Sequence, residues 1–383
     1  MKQYRNVFSE IGISEQEIQA RLKEIVHTFF YDENEKVYHP VGKDMGYIED
    51  TGNIDARTEG MSYGMMMCVQ LDMKEEFDRI WKWAKTYMYL ESGWNAGYFA
   101  WSCSPDGTKN SDGPAPDGEE FFAMALFFAS HRWGDGEGIF EYSKEARNIL
   151  SCCIHKGEPG IPGNSMWNRK NHQILFIPGA RFTDPSYHLP HFYELFAEWA
   201  NEEDRKFWVE AAKASRDLLA KACHEVTGMS AEYSHYDGSP VRKKFHWGYH
   251  DVFYSDAYRT VANIGLDYSW NGIDVGQRAA AERLQYCLGV TNREQPFMTY
   301  EIDGTVVPKP ALHPIGLLAT TAQGTLAIPE RLDSKNLSET GLLAREWVER
   351  FWKEPLRQGE RRYYDNCLYL FAFLALSGNY RIW

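Results

Sequence analysis

Ala56-Arg57-Thr58-Glu59-Gly60-Met61-Ser62-Tyr63-Gly64-Met65-Met66-Met67 reads as the opening of a helix with no solvent face. Its body is Met, Gly, Ser and Tyr, and a helix apolar on every side belongs inside a protein. One ionisable group, Glu59, stands in its first turn. Acids are common there because the helix dipole favours them, so Glu59 could simply cap the helix or pair with Arg57. At the mouth of a buried helix, however, a carboxyl loses water and its pKa rises, which suits a proton donor.

Outward from this stretch the chain predicts about twelve helices in strict alternation. The first runs from about Glu15 to Phe29 behind a Ser14/Glu17 capping box. It is amphipathic, with Ile18, Leu22, Ile25, Val26 and Phe29 on one stripe. The second is the Glu59 helix. Amphipathic helices follow at about 73–90, 141–154, 203–223, 274–288 and 337–352. Between them lie apolar ones that start near Asp117, after Tyr187, near Asp256, after His313-Pro314 and after Tyr364. Pro190 is tolerable because it falls in a first turn. Odd helices are amphipathic and even helices apolar, the pattern of an outer ring around an inner ring. The expected fold is therefore all-α: six helical hairpins closed into an (α/α)6 barrel, one domain over residues 1–383. No sequence repeat suggests a solenoid. Strand signals are short and confined to loops.

The loops alternate too. Those after even helices are mostly short, whereas those before them span roughly 31–57, 91–116, 155–185, 224–251 and 290–312. Long loops in a compact domain usually carry function. In such a barrel they emerge at one end, where every even helix begins. Six polar or ionisable groups then share one rim: Glu59, Asp117, Tyr187, Asp256, His313 and Tyr364. Most have an ordinary alternative. Asp117 could be a plain cap, Tyr187 a core tyrosine, His313 a helix-start residue, and Asp251 competes with Asp256. Aromatic residues crowd the same loops: Trp94, Tyr98, Trp101, Trp167, Phe182, Trp247, Tyr249 and Tyr254. Carboxylates among aromatics, without a metal-ligand pattern, suggest glycoside chemistry. A separation of about 6.5–9.5 Å between two carboxyls gives inversion and about 5–5.5 Å retention. His188 and His191 are spaced for a metal but lack a matching acid or Cys, so core or substrate contacts are the expected role. No cofactor and no metal are expected.

Composition narrows the partners. Hydrophobic residues make up 44% of the chain, enough for a large core, and aromatics 15%, with 13 Trp and 23 Tyr, suited to stacking on flat apolar ligands such as sugar rings. A net charge of −13 argues against nucleic acid and anionic membranes. The start of the sequence shows no apolar leader, no run is long enough to span a bilayer, and seven cysteines without a CxxC pair read as reduced thiols. The expectation is a cytoplasmic protein, a monomer or weak oligomer.

Ala56–Gly64 resembles the signature of glycoside hydrolase family 8, as do Pro116-Asp117-Gly118-Glu119, Asp184-Pro185-Ser186-Tyr187 and Ser255-Asp256-Ala257-Tyr258-Arg259. The resemblance covers nearly the whole chain. It implies an inverting, metal-independent enzyme on an (α/α)6 barrel, with Glu59 as general acid and Asp256 as general base. It further implies that Tyr187 holds the attacking water and Asp117 binds and distorts the sugar at subsite −1. Arg259 would face the leaving-group side and Trp101 would offer a stacking platform. Within the family the likeness is to exo-acting members that release xylose from the reducing end of xylo-oligosaccharides. There Leu312-His313-Pro314 resembles a loop that closes the cleft beyond subsite +1, with His313 on the anomeric hydroxyl. An endo-acting member on xylan, β-glucan or chitosan is the nearest alternative. A sugar isomerase or epimerase, which wants a His pair, and a non-catalytic sugar-binding protein are the others.

Overall fold

The computed structural model describes residues 4–383. After a single helical turn at Val7–Glu10, twelve longer helices follow among the described residues: α1 Glu15–Phe30, α2 Thr58–Leu71, α3 Lys74–Trp83, α4 Pro116–Trp133, α5 Tyr142–His155, α6 Pro190–Trp199, α7 Arg205–Ala222, α8 Tyr258–Asn271, α9 Gln277–Tyr286, α10 Pro314–Gln323, α11 Glu339–Lys353 and α12 Arg362–Leu376. The even helices form a closed ring: α2 packs on α4, α4 on α6, α6 on α8, α8 on α10, α10 on α12, and α12 returns to α2. Each odd helix lies outside: α3, α5, α7, α9 and α11 each pack on the inner helix before them, and α1 packs on α12. The chain is an (α/α)6 barrel, as the alternation predicts.

Burial follows the sequence pattern. Every residue of α4 from Pro116 to Ala129 is buried, and so is every residue of α12 from Tyr363 to Leu376. On outer helix α7 only a stripe is covered, including Trp208, Ala211, Ala212, Leu218 and Leu219. Ser14 and Glu17 close the predicted capping box on α1. Two outer helices end sooner than the sequence predicts: after α3 and α9 the chain widens into π-helical turns at Ala84–Met88 and Cys287–Thr291. Helix α12 starts at Arg362, so Tyr364 sits inside its first turn rather than ahead of it.

The strands are short and lie in the long loops. β1 Tyr38–Val41 and β2 Met45–Ile48 form a hairpin. β3 Ala56–Arg57 pairs with β4 Ser102–Cys103, which ties the approach to Glu59 to the loop carrying Trp101. The Thr58 amide also donates to the Trp101 carbonyl at 2.9 Å. β5 Val252–Phe253 pairs with β6 Met298–Glu301, and β6 with β7 Val306–Pro310. This sheet joins the approach to Asp256 to the loop before His313. Backbone pairing, not loop length, therefore fixes where the rim residues stand.

Inner helices meet closely at this end. A Cβ on Gly118 would lie 2.4 Å from the Thr58 Cβ and 3.1 Å from the Thr58 carbonyl carbon, so α4 can approach α2 only with glycine there. Gly118→Ala is expected to lower stability by about 1–3 kcal/mol, as overpacking does. Chemical denaturation checks it, and an unchanged midpoint would refute the close approach.

Candidate active site

The six rim residues line one cleft of about 740 Å³, together with Trp101 and Arg259. The structure thus brings all eight predicted residues together; Asp251 does not line the cleft. The hub is Arg259, on the first turn of α8 and 5% exposed. Its Nη1 donates to Glu59 Oε2 at 2.9 Å, to Asp117 Oδ2 at 3.1 Å and to the Tyr63 hydroxyl at 2.9 Å. Its Nη2 stands 3.6 Å from Asp256 Oδ1. Glu59 and Asp256 therefore share a mouth but take different ends of one guanidinium.

The carboxylates differ in environment. The Glu59 side chain is 17% exposed, and the Tyr363 hydroxyl donates to its Oε1 at 2.8 Å. Burial pushes its pKa up to about 7, with Arg259 pulling it down and Asp117 and Asp256 pushing it further up. Asp117 is raised as well, chiefly by burial. The Asp256 side chain is 34% exposed, with the Tyr364 hydroxyl 3.4 Å from its Oδ1. Two acids thus stand in one cleft, one driven toward the protonated form and one open to water, an arrangement suited to a proton donor and a proton acceptor. Glu59 does not pair with Arg57, which instead meets Asp50 and Asp55, each at 3.1 Å. Asp117 is not the N-cap of α4; Ala115 is.

The cleft walls carry the remaining specificity. Trp101 is 37% exposed with the Arg57 guanidinium 5.2 Å from its ring centre, which fixes the plane it offers. The Tyr187 ring is buried against Phe176, with Arg259 5.5 Å away. At the far wall His313 Nδ1 lies 3.1 Å from Asp365 Oδ2. Asp365 also binds Arg357 and accepts from the Gly316 amide at 2.7 Å.

Residues 42–307 match the family described as Glycosyl hydrolases family 8. The chain belongs to that family. Similar family 8 proteins include the reducing end xylose-releasing exo-oligoxylanases of Halalkalibacterium halodurans, 56% identical over 100% of this chain and 95% of that protein, and of Bifidobacterium adolescentis, 52% identical over 98% and 96%. A solved structure of Rex8A from Paenibacillus barcinonensis complexed with xylose superposes with a TM-score of 0.93 at 53% identity, covering 99% of this chain and 97% of that one.

Other expectations fare less evenly. Of the rim aromatics, Trp101, Trp247 and Tyr254 line the cleft, whereas Tyr98 and Trp167 are fully buried in the core and Trp94 lies outside the cleft. His188 is held by the Thr183 and Ser215 hydroxyls, each at 2.8 Å. Burial drives His188 and His191 down to about 3, so both pack as neutral rings. Among the described residues no group of three or more His, Cys, Asp or Glu is placed to hold a metal ion. The sequence reading missed Tyr63, Tyr363, Glu232, His250, Arg357 and Asp365. Tyr63 was within reach, because it stands four residues after Glu59 on the same helix face. The others pair across loops, where no helical or strand period relates the partners.

The Glu59 environment fixes a pH dependence. A carboxyl with a pKa of about 7 gives up its proton as pH rises through that value, so a turnover that draws on this proton should show its basic limb near 7. Tyr363 donates to the ionised form. Tyr363→Phe should therefore move this limb upward by about one pH unit, on the usual strength of a hydrogen bond to a charged group. A limb that stays put or moves down would contradict the pairing.

Proposed function

We propose that the chain is an inverting glycoside hydrolase that releases xylose from the reducing end of β-1,4-xylo-oligosaccharides. The carrying observation is Arg259 holding Glu59, Asp117 and Asp256 around one cleft, with Glu59 kept near its protonated form. The full-length likeness to exo-oligoxylanases supports the substrate.

In this reading the Glu59 proton passes to the glycosidic oxygen as the bond to the anomeric carbon breaks. Asp256 takes a proton from a water that attacks the opposite face of that carbon, so the new hydroxyl has inverted configuration. Tyr187 steadies the water, and Asp117 binds the sugar at subsite −1 and favours its distorted form. Arg259 keeps the acids apart and oriented, and Trp101 stacks a sugar ring. His313 accounts for the exo action. Its Nδ1 is engaged by Asp365, which leaves Nε2 for the anomeric hydroxyl of the terminal xylose. The dyad and Arg357 then form a wall that admits one residue beyond the scissile bond. An endo-acting member would need that wall open.

The cleft is built by one chain, so the reading needs no partner subunit and fits a monomer or weak oligomer. No cofactor or metal enters it, and a cytoplasmic setting agrees with seven free thiols. Among the described residues no helix is long and apolar enough to cross a membrane.

Xylotriose labelled at its reducing end should lose one labelled xylose per event, and the first product observed by NMR at the cleaved position should be the α-anomer. Glu59→Ala and Asp256→Ala should each lower turnover by about 10²–10⁴-fold with the fold intact. Near-wild-type activity in either would refute the assignment. His313→Ala should relax the reducing-end requirement, read as cleavage of oligosaccharides whose ends have been chemically reduced. Mixed oligomers from the wild type would favour endo action instead.

A further inference from the structure

Two tryptophans line the cleft, Trp101 and Trp247, and the mechanism uses only the first. Trp247 lies in the long loop between α7 and α8 and is 45% exposed. Its ring is stacked on Phe245, with centres 5.0 Å apart and planes 16° apart. Exposure alone does not mark it. Trp94 and Tyr249 are more exposed, at 61% and 60%, and neither lines the cleft. Tyr254 does line it, but Lys309 Nζ lies 3.8 Å from its ring centre and occupies that face.

The ring behind Trp247 is itself held. Phe245 packs on Phe182 at 5.3 Å and on Tyr233 at 5.5 Å between ring centres. Phe176 closes the cluster, 5.4 Å from Phe182, 4.3 Å from Tyr233 and 6.0 Å from Tyr187. These aromatic residues join the loop before α8 to the loop before α6. The backbone joins them too: the amides of Thr183 and Ser234 each donate to the other's carbonyl at 2.9 Å. A ring set in place before a ligand arrives loses little freedom on binding it.

Trp247 and the His313 wall stand at opposite ends of the cleft. His313 is bonded to Asp365 and lies 4.7 Å from the Tyr364 ring, both on α12. The Trp247 cluster leans on the mouth of α6 through Phe182, Phe176 and Tyr187. In the inner ring α6 faces α12 across the axis. A sugar chain whose reducing end stops at His313 therefore extends toward Trp247.

We propose that Trp247 is a specificity-determining residue: backed by Phe245, its ring stacks on a xylose residue that lies further from the scissile bond than the one at Asp117, and so favours longer oligosaccharides. This deepens the proposed function and rests on it. Xylose carries no hydroxymethyl group, so a flat ring can approach either face of it. Phe245 does not line the cleft and acts as a positioning residue through Trp247. Xylobiose places one residue on each side of the scissile bond and stops short of Trp247, whereas xylotetraose reaches it.

The test is kcat/KM on xylobiose and on xylotetraose in Trp247→Ala, Trp247→Phe, Phe245→Ala and the Trp247→Ala/Phe245→Ala double variant, with thermal melts to check the fold. The readout is the ratio of kcat/KM, xylotetraose over xylobiose. Trp247→Ala should lower it by about tenfold, the usual worth of one aromatic contact with its buried area. Trp247→Phe keeps a flat ring and should hold it within about threefold of wild type. Phe245→Ala should lower it when Trp247 is present and add nothing when Trp247 is gone. The proposal is overturned if Trp247→Ala keeps the wild-type ratio, whether both rates hold or both fall together. It is equally overturned if Trp247→Phe is as impaired as Trp247→Ala, or if Phe245→Ala lowers the ratio further without Trp247. Should Trp247→Ala not fold, a wild-type ratio in Phe245→Ala overturns it. A wild type that leaves xylotetraose intact, or cuts it to mixed oligomers, would sink the functional reading and this inference with it. Release of xylose from the reducing end by the wild type, beside an unchanged ratio in Trp247→Ala, sinks the inference alone.

Discussion

A single buried cation organises the centre of this molecule. The Arg259 guanidinium, almost wholly withdrawn from water, must be paired to be tolerated there. Its partners come from three inner helices: Glu59 and Tyr63 on α2, Asp117 on α4, and Asp256 at the entry to α8. One positive charge does not neutralise three ionised carboxylates in so confined a space. The most buried acids are therefore pushed up, and Glu59 holds its proton to about 7. The interaction that closes the mouth of the barrel is the same one that leaves a proton available in the cleft. Structure and reactivity share a cause here.

The barrel supplies the convergence this requires. Six inner helices direct their amino ends to one rim, and a helix start favours negative charge. That dipole opposes the effect of burial, and burial wins for Glu59 because its side chain sits deeper than that of Asp256. Close packing also matters. Gly60 and Gly118 follow Glu59 and Asp117 directly. A Cβ at Gly60 would fall 2.6 Å from the Tyr363 hydroxyl, just as one at Gly118 would strike Thr58. The missing side chains bring α2, α4 and α12 near enough for one hydroxyl and one guanidinium to span the acids.

Much of this was legible in the sequence. Helices such as α4 and α12 are apolar on every side, so their interior position follows from composition, and alternation with striped helices gives the ring order. The rim residues were legible because each opens such a helix. Contacts between distant segments were not. Asp365 lies in a run that otherwise reads as core, and nothing local shows that His313, Arg357 and the Gly316 amide all need its oxygens. Glu232 and His250 sit in an aperiodic loop, where spacing has no meaning. Aromatic residues misled in part, since Trp167 and Tyr98 fill the core with the same side chains that Trp101 offers to a ligand. Residue type alone does not tell packing from stacking.

The His313 wall is a rigid device. A histidine on a loose loop would offer a hydroxyl partner in many orientations, and a longer chain could push past it. Here the ring is held from behind by a carboxylate that is itself fully buried and bonded to two other groups. Moving His313 would strand Asp365 with Arg357 and the start of α10, so the wall shares the stability of the barrel. Glu232 and His250 repeat this arrangement on the Asp256 side, a buried carboxylate behind a histidine. In both places a buried acid stands behind a histidine that lines the cleft. The cleft is thus shaped by carboxylates of two kinds, those that Arg259 draws together and those that stand behind a histidine.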